Sequence, residues 1–458
     1  MSSKFESLYY HCPVWMQNTL VSLMGYRLYQ KRYTGMYREI RRLIEQARSW
    51  SAAEKASYQD EHLHRMIRHC RQHVPYYQQL FAEHGLHEND ITSVQDLLRI
   101  PILDKDTLRA RAGDFSAIGE KPFIQQNTSG STGTPLTLAV DERTYKMAMA
   151  LVVDHEEYHG IPFGARRATF AGRMVQRAEN MSPPFSRYNR AENQRLYSSY
   201  HLNNETFPDY RRDLDRFAPE ELIGYPSALS DIATYYQNTN STPRFRPKAI
   251  ITNSETLLAW QRERLERVFG CPVRDYYGTA EYVVFAGQDR DGIYRTSPVL
   301  GITEVLPETE QTKTGDLVAT TLTNTCMPLL RYRVGDSATV SDDDAGNRIQ
   351  RNALSSINGR IDDYIETPDG RKIGRIDHIF KGMSGIKEAQ VIQDSPDHCT
   401  INVVKDTIFN SIDENLLKSN FNARTSQKMK ITVSILKTIP KGPNGKFRSV
   451  ISIKKAQN

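Results

Sequence analysis

Cysteine is scarce in this chain. Its five residues, Cys12, Cys70, Cys271, Cys326 and Cys399, lie scattered over 458 positions without a CxxC pair. That spacing excludes a disulfide framework and a structural zinc site, and it fits a reducing compartment. Long apolar runs are also missing. No stretch approaches the roughly 18 uninterrupted apolar residues of a transmembrane helix, so none is expected. Neither charge sign dominates: 60 Lys and Arg face 54 Asp and Glu, a net charge of +6. With no tract of interleaved basic and aromatic residues, this balance argues against a nucleic-acid partner. The N-terminus has no signal-peptide pattern, because Glu6 and Gln17 interrupt its apolar residues and no small-residue cleavage site follows. A cytoplasmic protein is expected. The same aromatic-rich stretch, ending in Lys31 and Arg32, reads as a helix packed on its own domain, with a surface helix in peripheral membrane contact as the alternative.

What remains is a globular composition, 39% apolar and 25% charged, long enough for more than one domain. Residues 36–90 read as helical, with apolar residues at helical spacing and little Gly or Pro. A further helix is predicted over 142–158, where Tyr145, Met149, Val152 and Val153 share a face. Residues 249–277 read strand–helix–strand, with the helix over 256–269 closed by Gly270. Such alternation predicts an α/β fold. Strands are expected at 401–404 and 430–436. One boundary is placed at 359/360. Residues 1–359 form a large α/β domain, its first 95 residues a mostly helical lead-in, and residues 360–458 form a small, mobile α+β domain.

Five stretches carry chemistry. The first is Asn127-Thr-Ser-Gly-Ser-Thr-Gly-Thr-Pro135. Its hydroxyl residues and two glycines can turn backbone N–H groups outward into an anion nest, and the alternating Leu136, Leu138 and Val140 after it predict a strand that holds the loop. It is not a Walker loop, since no Gly-Lys-Ser/Thr closes it. The second, Asp275-Tyr-Tyr-Gly-Thr-Ala-Glu281, offers an aromatic face to a purine and a hard carboxylate to Mg²⁺. The third, Leu330-Arg-Tyr-Arg-Val-Gly-Asp336, ends in an acid that can accept hydrogen bonds from vicinal ribose hydroxyls, or can merely pair with Arg331 or Arg333. The fourth, Asn358-Gly-Arg-Ile-Asp-Asp363, reads as a hinge or a surface turn. The fifth, Pro440-Lys-Gly-Pro-Asn-Gly-Lys446, is a turn-rich loop that presents lysines.

In this order and spacing the set resembles the adenylate-forming ligase superfamily, over about residues 95–458. Within it the chain resembles the phenylacetate–CoA ligase group, and most of all its capsular polysaccharide biosynthesis (CapK-like) branch. That finer likeness rests on Ala171-Gly-Arg173, Pro183-Pro-Phe185, Ser198-Ser-Tyr-His201, Ile223-Gly-Tyr-Pro-Ser227 and Gly359-Arg-Ile-Asp-Asp-Tyr-Ile365. The resemblance implies ATP and Mg²⁺ as cofactors and a carboxylic acid as substrate. The acid attacks the α-phosphate, releases pyrophosphate, and the acyl-adenylate then passes its acyl group to an amine or a thiol, coenzyme A included.

It also implies residue roles. Thr128, Ser129, Gly130, Ser131, Thr132, Gly133 and Thr134 would hold phosphates. Tyr277, with Gly278 and Thr279, would carry the adenine, and Ser254 and Glu255 would line its pocket. Glu281 would bind the metal, Asp336 would hold the ribose with help from Arg360, Lys446 would bridge carboxylate and α-phosphate, and Asp362 would be the hinge. Arg173, Arg187, Tyr200, His201 and Tyr225 would line the acid or acceptor pocket, His201 having a plain structural hydrogen-bonding role as its alternative. One departure stands out. The family places Thr or Ser just before the metal-binding Glu; here Ala280 occupies that position and Thr279 precedes it. A catalytically silent scaffold in polysaccharide assembly is the competing class, and retention of Glu281, Asp336 and Lys446 argues against it.

Overall fold

A computed structural model describes residues 9–127, 137–173, 175–177, 180–198, 201–202, 204–307, 309, 312–344, 349–358, 365–366, 368, 372–373, 379–380, 386–405, 411–425, 429–440 and 450–452. The helices are α1 (Val14–Tyr33), α2 (Tyr37–Arg48), α3 (Ala52–His73), α4 (Pro75–Glu83), α5 (Lys105–Ala110), α6 (Glu142–Tyr158), α7 (Phe207–Phe217), α8 (Pro226–Asn238), α9 (Ala259–Phe269) and α10 (Ser411–Arg424). The strands are β1 (Ile124–Asn127), β2 (Thr137–Val140), β3 (Arg167–Arg173), β4 (Ser186–Asn189), β5 (Gln194–Ser198), β6 (Glu221–Gly224), β7 (Ala249–Thr252), β8 (Val273–Gly278), β9 (Phe285–Gln288), β10 (Tyr294–Thr296), β11 (Gly301–Pro307), β12 (Thr314–Thr321), β13 (Tyr332–Val340), β14 (Ala353–Asn358), β15 (Ile365–Glu366), β16 (Lys372–Ile373), β17 (Ile386–Ser395), β18 (His398–Lys405), β19 (Lys430–Ile435) and β20 (Val450–Ser452). The α/β class expected from the sequence is the one observed.

Two compact units form from interleaved segments. One comprises residues 26–163 and 274–357. Its sheet runs β11-β12-β13-β14-β10-β9-β8. The helical lead-in has a local cause. Ser51 and Glu54 form a capping box at the start of α3, which ties down two N-terminal amides. Leu63, Met66, Ile67 and Cys70 then recur at helical spacing and are buried with Tyr77, Phe115, Ile302 and Leu317. In α6 the outcome differs from the expected single face. Met149 and Val152 are only half-buried, whereas Met147, Ala150 and Leu151 are buried against Ile40 and Ile44 of α2 and against Phe285, Val299 and Leu300. Covered on more than one side, this helix has no single apolar stripe for the sequence to display.

The other unit comprises residues 1–25, 164–273 and 358–458. Here β7-β6-β3-β5-β4 form one run, parallel from β7 to β5. β7 and α9 are the first strand and the helix of the expected strand–helix–strand, and β7 pairs in parallel with β6. α9 starts at Ala259, three residues later than expected, because Leu258 is extended and its amide bonds the Gln261 side chain. Gly270 closes it with φ +63°. The C-terminal residues build an antiparallel β17–β18 pair flanked in parallel by β19 and β20, with α10. Their core holds Ile386, Val391, Ile401, Leu417 and Phe421, with Trp260 packed against it. The Arg264 guanidinium donates to the Ile386 carbonyl at 3.1 Å. All five cysteines are free thiols. Among the described residues no helix is long and apolar enough to cross a membrane.

Candidate active site

The second and third sequence stretches meet within the unit of residues 26–163 and 274–357, which also holds the two strands that flank the first. β1 and β2 pair antiparallel with Asn127 opposite Thr137, so the loop between them leaves and returns at adjacent positions. Thr128, Ser129, Gly130, Ser131, Thr132, Gly133 and Thr134 lie outside the described residues. The base of the hairpin is held at Gln126, whose Oε1 accepts from the Tyr282 hydroxyl at 2.9 Å. Burial pushes the Tyr282 phenol up to about 12, so it remains a donor across the physiological range. Tyr282 adopts φ +54°, and its amide closes a turn onto the Thr279 carbonyl at 3.1 Å. The turn carries Glu281, placing that carboxylate one residue from the hairpin anchor.

Two hydrogen bonds join the second stretch to the third. Tyr277, near the end of β8, donates its hydroxyl to Asp336 Oδ2. Tyr332, at the start of β13, donates to Glu281 Oε1 at 3.1 Å. The residues expected to hold adenine and ribose therefore touch, and the expected metal ligand is fixed by the strand that carries the ribose acid. Asp336 owes its direction to a bulge. The β12–β13 register shifts between Asp316 and Val318, and Gly335 sits in β13 with φ +93°. That conformation favours glycine, and it re-aims the following side chain.

Glu281 is buried, 6% exposed. Its Oε1 also lies 3.5 Å from Lys105 Nζ, at the first turn of α5. Sequence reasoning did not single out Lys105, and 176 residues separate the partners. The arginines weighed as ion partners are committed elsewhere: Arg331 makes a two-point pair with Glu304, and Arg333 lies 3.4 Å from Asp316. The Thr279 hydroxyl is buried with no partner among the described residues. An orphaned hydroxyl beside a carboxylate suits a polar ligand. No group of three or more metal-type side chains occurs among the described residues. Among the described residues Glu281 is engaged through Oε1, and such a carboxylate fits Mg²⁺ shared with a nucleotide, which takes one or two carboxylates plus phosphate oxygens, and does not fit an all-protein metal cage.

The remaining expected residues sit in the unit of residues 1–25, 164–273 and 358–458. Ser254 follows β7 with φ +67°, its hydroxyl donating to Asn253 Oδ1 at 2.8 Å. Glu255 accepts from the Ser227 amide at 3.2 Å, at the start of α8, and Tyr225 is the residue that precedes that helix. Arg187 and His201 have structural surroundings. Arg187 is 2% exposed, and its guanidinium donates to Gln17, Gln176 and the carbonyls of Pro184 and Ser186. His201 Nε2 faces the Arg177 carbonyl at 2.9 Å and must donate there, which leaves Nδ1 to accept from Ser198 at 2.7 Å. A substrate contact at either would break bonds already made; for His201 these are the bonds of the structural role weighed as its alternative. Pro183, Pro184 and Phe185 instead line a cavity of about 340 Å³ with Tyr197, Arg212 and Arg216. Tyr200, Arg360, Asp362 and Lys446 lie outside the described residues, as does the side chain of Arg173.

Residues 365–453 match the family model described as the CapK C-terminal domain. Over 457 residues the chain is 27% identical to protein CapK of Staphylococcus aureus, covering 97% of this chain and 98% of that one. It is 24% identical to the phenylacetate–coenzyme A ligase of Pseudomonas putida, covering 71% and 75%. A solved structure of 2-hydroxyisobutyryl-CoA ligase in the postadenylation state superposes with a TM-score of 0.68 at 19% identity, covering 89% of this chain and 91% of that one. The fold is that of the adenylate-forming ligases, and in sequence the chain is similar to CapK and to the phenylacetate–CoA ligases.

Proposed function

We propose that this chain, an adenylate-forming ligase by fold and CapK-like along its length, activates a carboxylic acid with ATP and transfers the acyl group to an acceptor. The observation that carries this reading is the pair of hydrogen bonds Tyr277–Asp336 and Tyr332–Glu281. They join two distant stretches into one surface with an aromatic ring, a hydroxyl-binding acid and a metal-type carboxylate. In the first half-reaction a carboxylate oxygen attacks the α-phosphorus and pyrophosphate leaves. In the second an acceptor nucleophile attacks the acyl carbon, loses its proton, and AMP leaves.

The residue roles belong to the proposal. Tyr277 stacks on the adenine and Asp336 accepts from the ribose, assisted by Arg360. Glu281 holds Mg²⁺, which when bound neutralises phosphate charge. The orphaned Thr279 hydroxyl takes over the contact that a residue at 280 makes in the family. Lys446 supplies positive charge where charge develops during attack. Residues 360–458 turn about Asp362 between half-reactions.

The acceptor is proposed to be an amine, in amide ligation of a uronic acid or an amino sugar during surface or capsular polysaccharide assembly. The name of the Staphylococcus aureus relative supports the capsular setting alone. The phenylacetate–coenzyme A ligase relatives support coenzyme A as the second reading. ATP–pyrophosphate exchange across a panel of aryl, alkyl and uronic acids tests the first half-reaction, and AMP release with amino sugars against coenzyme A tests the second. No exchange with any acid would sink the ligase reading; thioester with no amide would sink the amine acceptor.

A further inference from the structure

α1 leaves its largest apolar side chains outside. Its two fully buried residues are Gln17 and Gly25, not apolar side chains. Gln17 accepts from Arg187 and donates to the Cys12 carbonyl. Asn18 accepts from the Tyr188 amide at 3.0 Å, and Ser22 donates to the Tyr188 carbonyl and accepts from the Arg190 amide. Gly25 lies so close to Asn189 that an added Cβ would fall 2.0 Å from its Oδ1. The face turned toward β4 is thus pinned along two turns by bonds from polar residues and by close approach at a glycine, with Val14, Val21 and Leu28 half-buried on the same side.

The opposite face holds the apolar surface. Trp15 is 70% exposed, Leu23 60% and Tyr26 58%, with Met16 beside them. At 100° per residue, Trp15, Tyr26, Thr19, Leu23, Met16 and Arg27 fall within a stripe of about 120°. Even the Thr19 hydroxyl is turned back onto the Trp15 carbonyl at 3.0 Å. A helix with nothing to dock on would not leave this much contiguous aromatic and aliphatic surface in water. From Tyr9 to Tyr33 there is no carboxylate, while Arg27, Lys31 and Arg32 add positive charge at the C-terminal end. A second copy of the same face would bring cations and no anions to pair them. An anionic bilayer supplies the anions, and Trp and Tyr are side chains suited to its interface.

We propose that α1 is a membrane-docking helix whose outward stripe enters the headgroup region of an anionic bilayer, holding the chain at the membrane surface without spanning it. The helix would lie in the plane of the interface, with the polar face still bonded to β4. The test is co-sedimentation of the full chain with vesicles of equal parts phosphatidylcholine and phosphatidylglycerol, against phosphatidylcholine alone. The wild type is expected to sediment with the mixed vesicles. The triple variant Trp15→Ser, Leu23→Ser, Tyr26→Ser changes only exposed positions, so it should melt like the wild type and bind at least roughly tenfold more weakly. Arg27→Glu should weaken binding to mixed vesicles by roughly fivefold or more and leave the phosphatidylcholine control unmoved. A wild type that stays in the supernatant overturns the proposal. So does a triple variant that binds as well as wild type. A wild-type dimer that the triple variant dissociates, with vesicles left alone, overturns it in favour of a self-association face.

Discussion

Replacing Glu281 by Gln separates a metal-binding carboxylate from a structural one. The substitution keeps the shape, and the Tyr332 hydroxyl can still donate to the amide oxygen at the position where it now bonds Oε1 at 3.1 Å. What disappears is the negative charge, and with it the attraction to Lys105 Nζ at 3.5 Å. The two side chains are 5% and 24% exposed, so the pair is partly desolvated and its loss should lower stability by about 1–2 kcal/mol. If Glu281 also holds Mg²⁺, the change removes the one protein charge that fixes the metal beside the phosphates. Adenylate formation should then fall by about 100-fold, or about 2.7 kcal/mol of transition-state stabilisation. The assay is ATP–pyrophosphate exchange titrated with Mg²⁺, read beside a thermal melt. The metal reading predicts a raised Mg²⁺ requirement and partial recovery of rate at high Mg²⁺. Lys105→Met provides the control: it breaks the same ion pair while leaving the carboxylate, so it should match the stability loss without moving the Mg²⁺ titration toward higher concentrations. An unchanged rate and unmoved Mg²⁺ curve in Glu281→Gln would refute the reasoning and reduce Glu281 to a partner of Lys105.

Gly335→Ala should cost about 1–2 kcal/mol in a urea melt, because φ +93° strains any residue with a Cβ, although nothing lies within 4 Å to clash; it should also raise KM for ATP by displacing Asp336, and an unchanged KM would show that the bulge does not aim that acid. His155 is buried, and desolvation holds its pKa near 3, with His159 and Arg274 adding to the depression. The unfolded imidazole takes up a proton near pH 6.5 while the folded one does not, so stability present above that pH should be lost as pH falls, by about 2 kcal/mol between pH 7 and 5. His155→Leu should flatten the melting temperature over that interval, and an equally steep profile in the variant would assign the loss to other groups. Lys446→Ala should leave ATP binding by equilibrium dialysis intact while exchange falls by about 100–1,000-fold; near-normal exchange would place the C-terminal loop outside the reaction.

Local pattern was enough for much of the fold. Helices in the lead-in, the helix over 142–158 and the strand–helix–strand from 249 announce themselves because hydrophobic periodicity and capping act within a few residues. So do Gly270 at the end of α9 and the strand that follows residues 128–136. Family order of the motifs also marked Tyr277, Glu281 and Asp336 for one site. Their mutual bonding was not legible, since Tyr277–Asp336 and Tyr332–Glu281 depend on how β8 and β13 are set in one sheet. Nor was Lys105, a lysine in a polar helix start that gains meaning only when α5 brings it beside a buried carboxylate. Arg187 and His201 carry the residue types of a binding pocket, yet tertiary packing surrounds them with protein acceptors and donors. The same holds for α1. Its composition declares an aromatic helix, but which side faces β4 is decided by Gln17, Asn18, Ser22 and Gly25 finding partners there, because a buried polar group must be bonded and an apolar side chain loses less by staying outside.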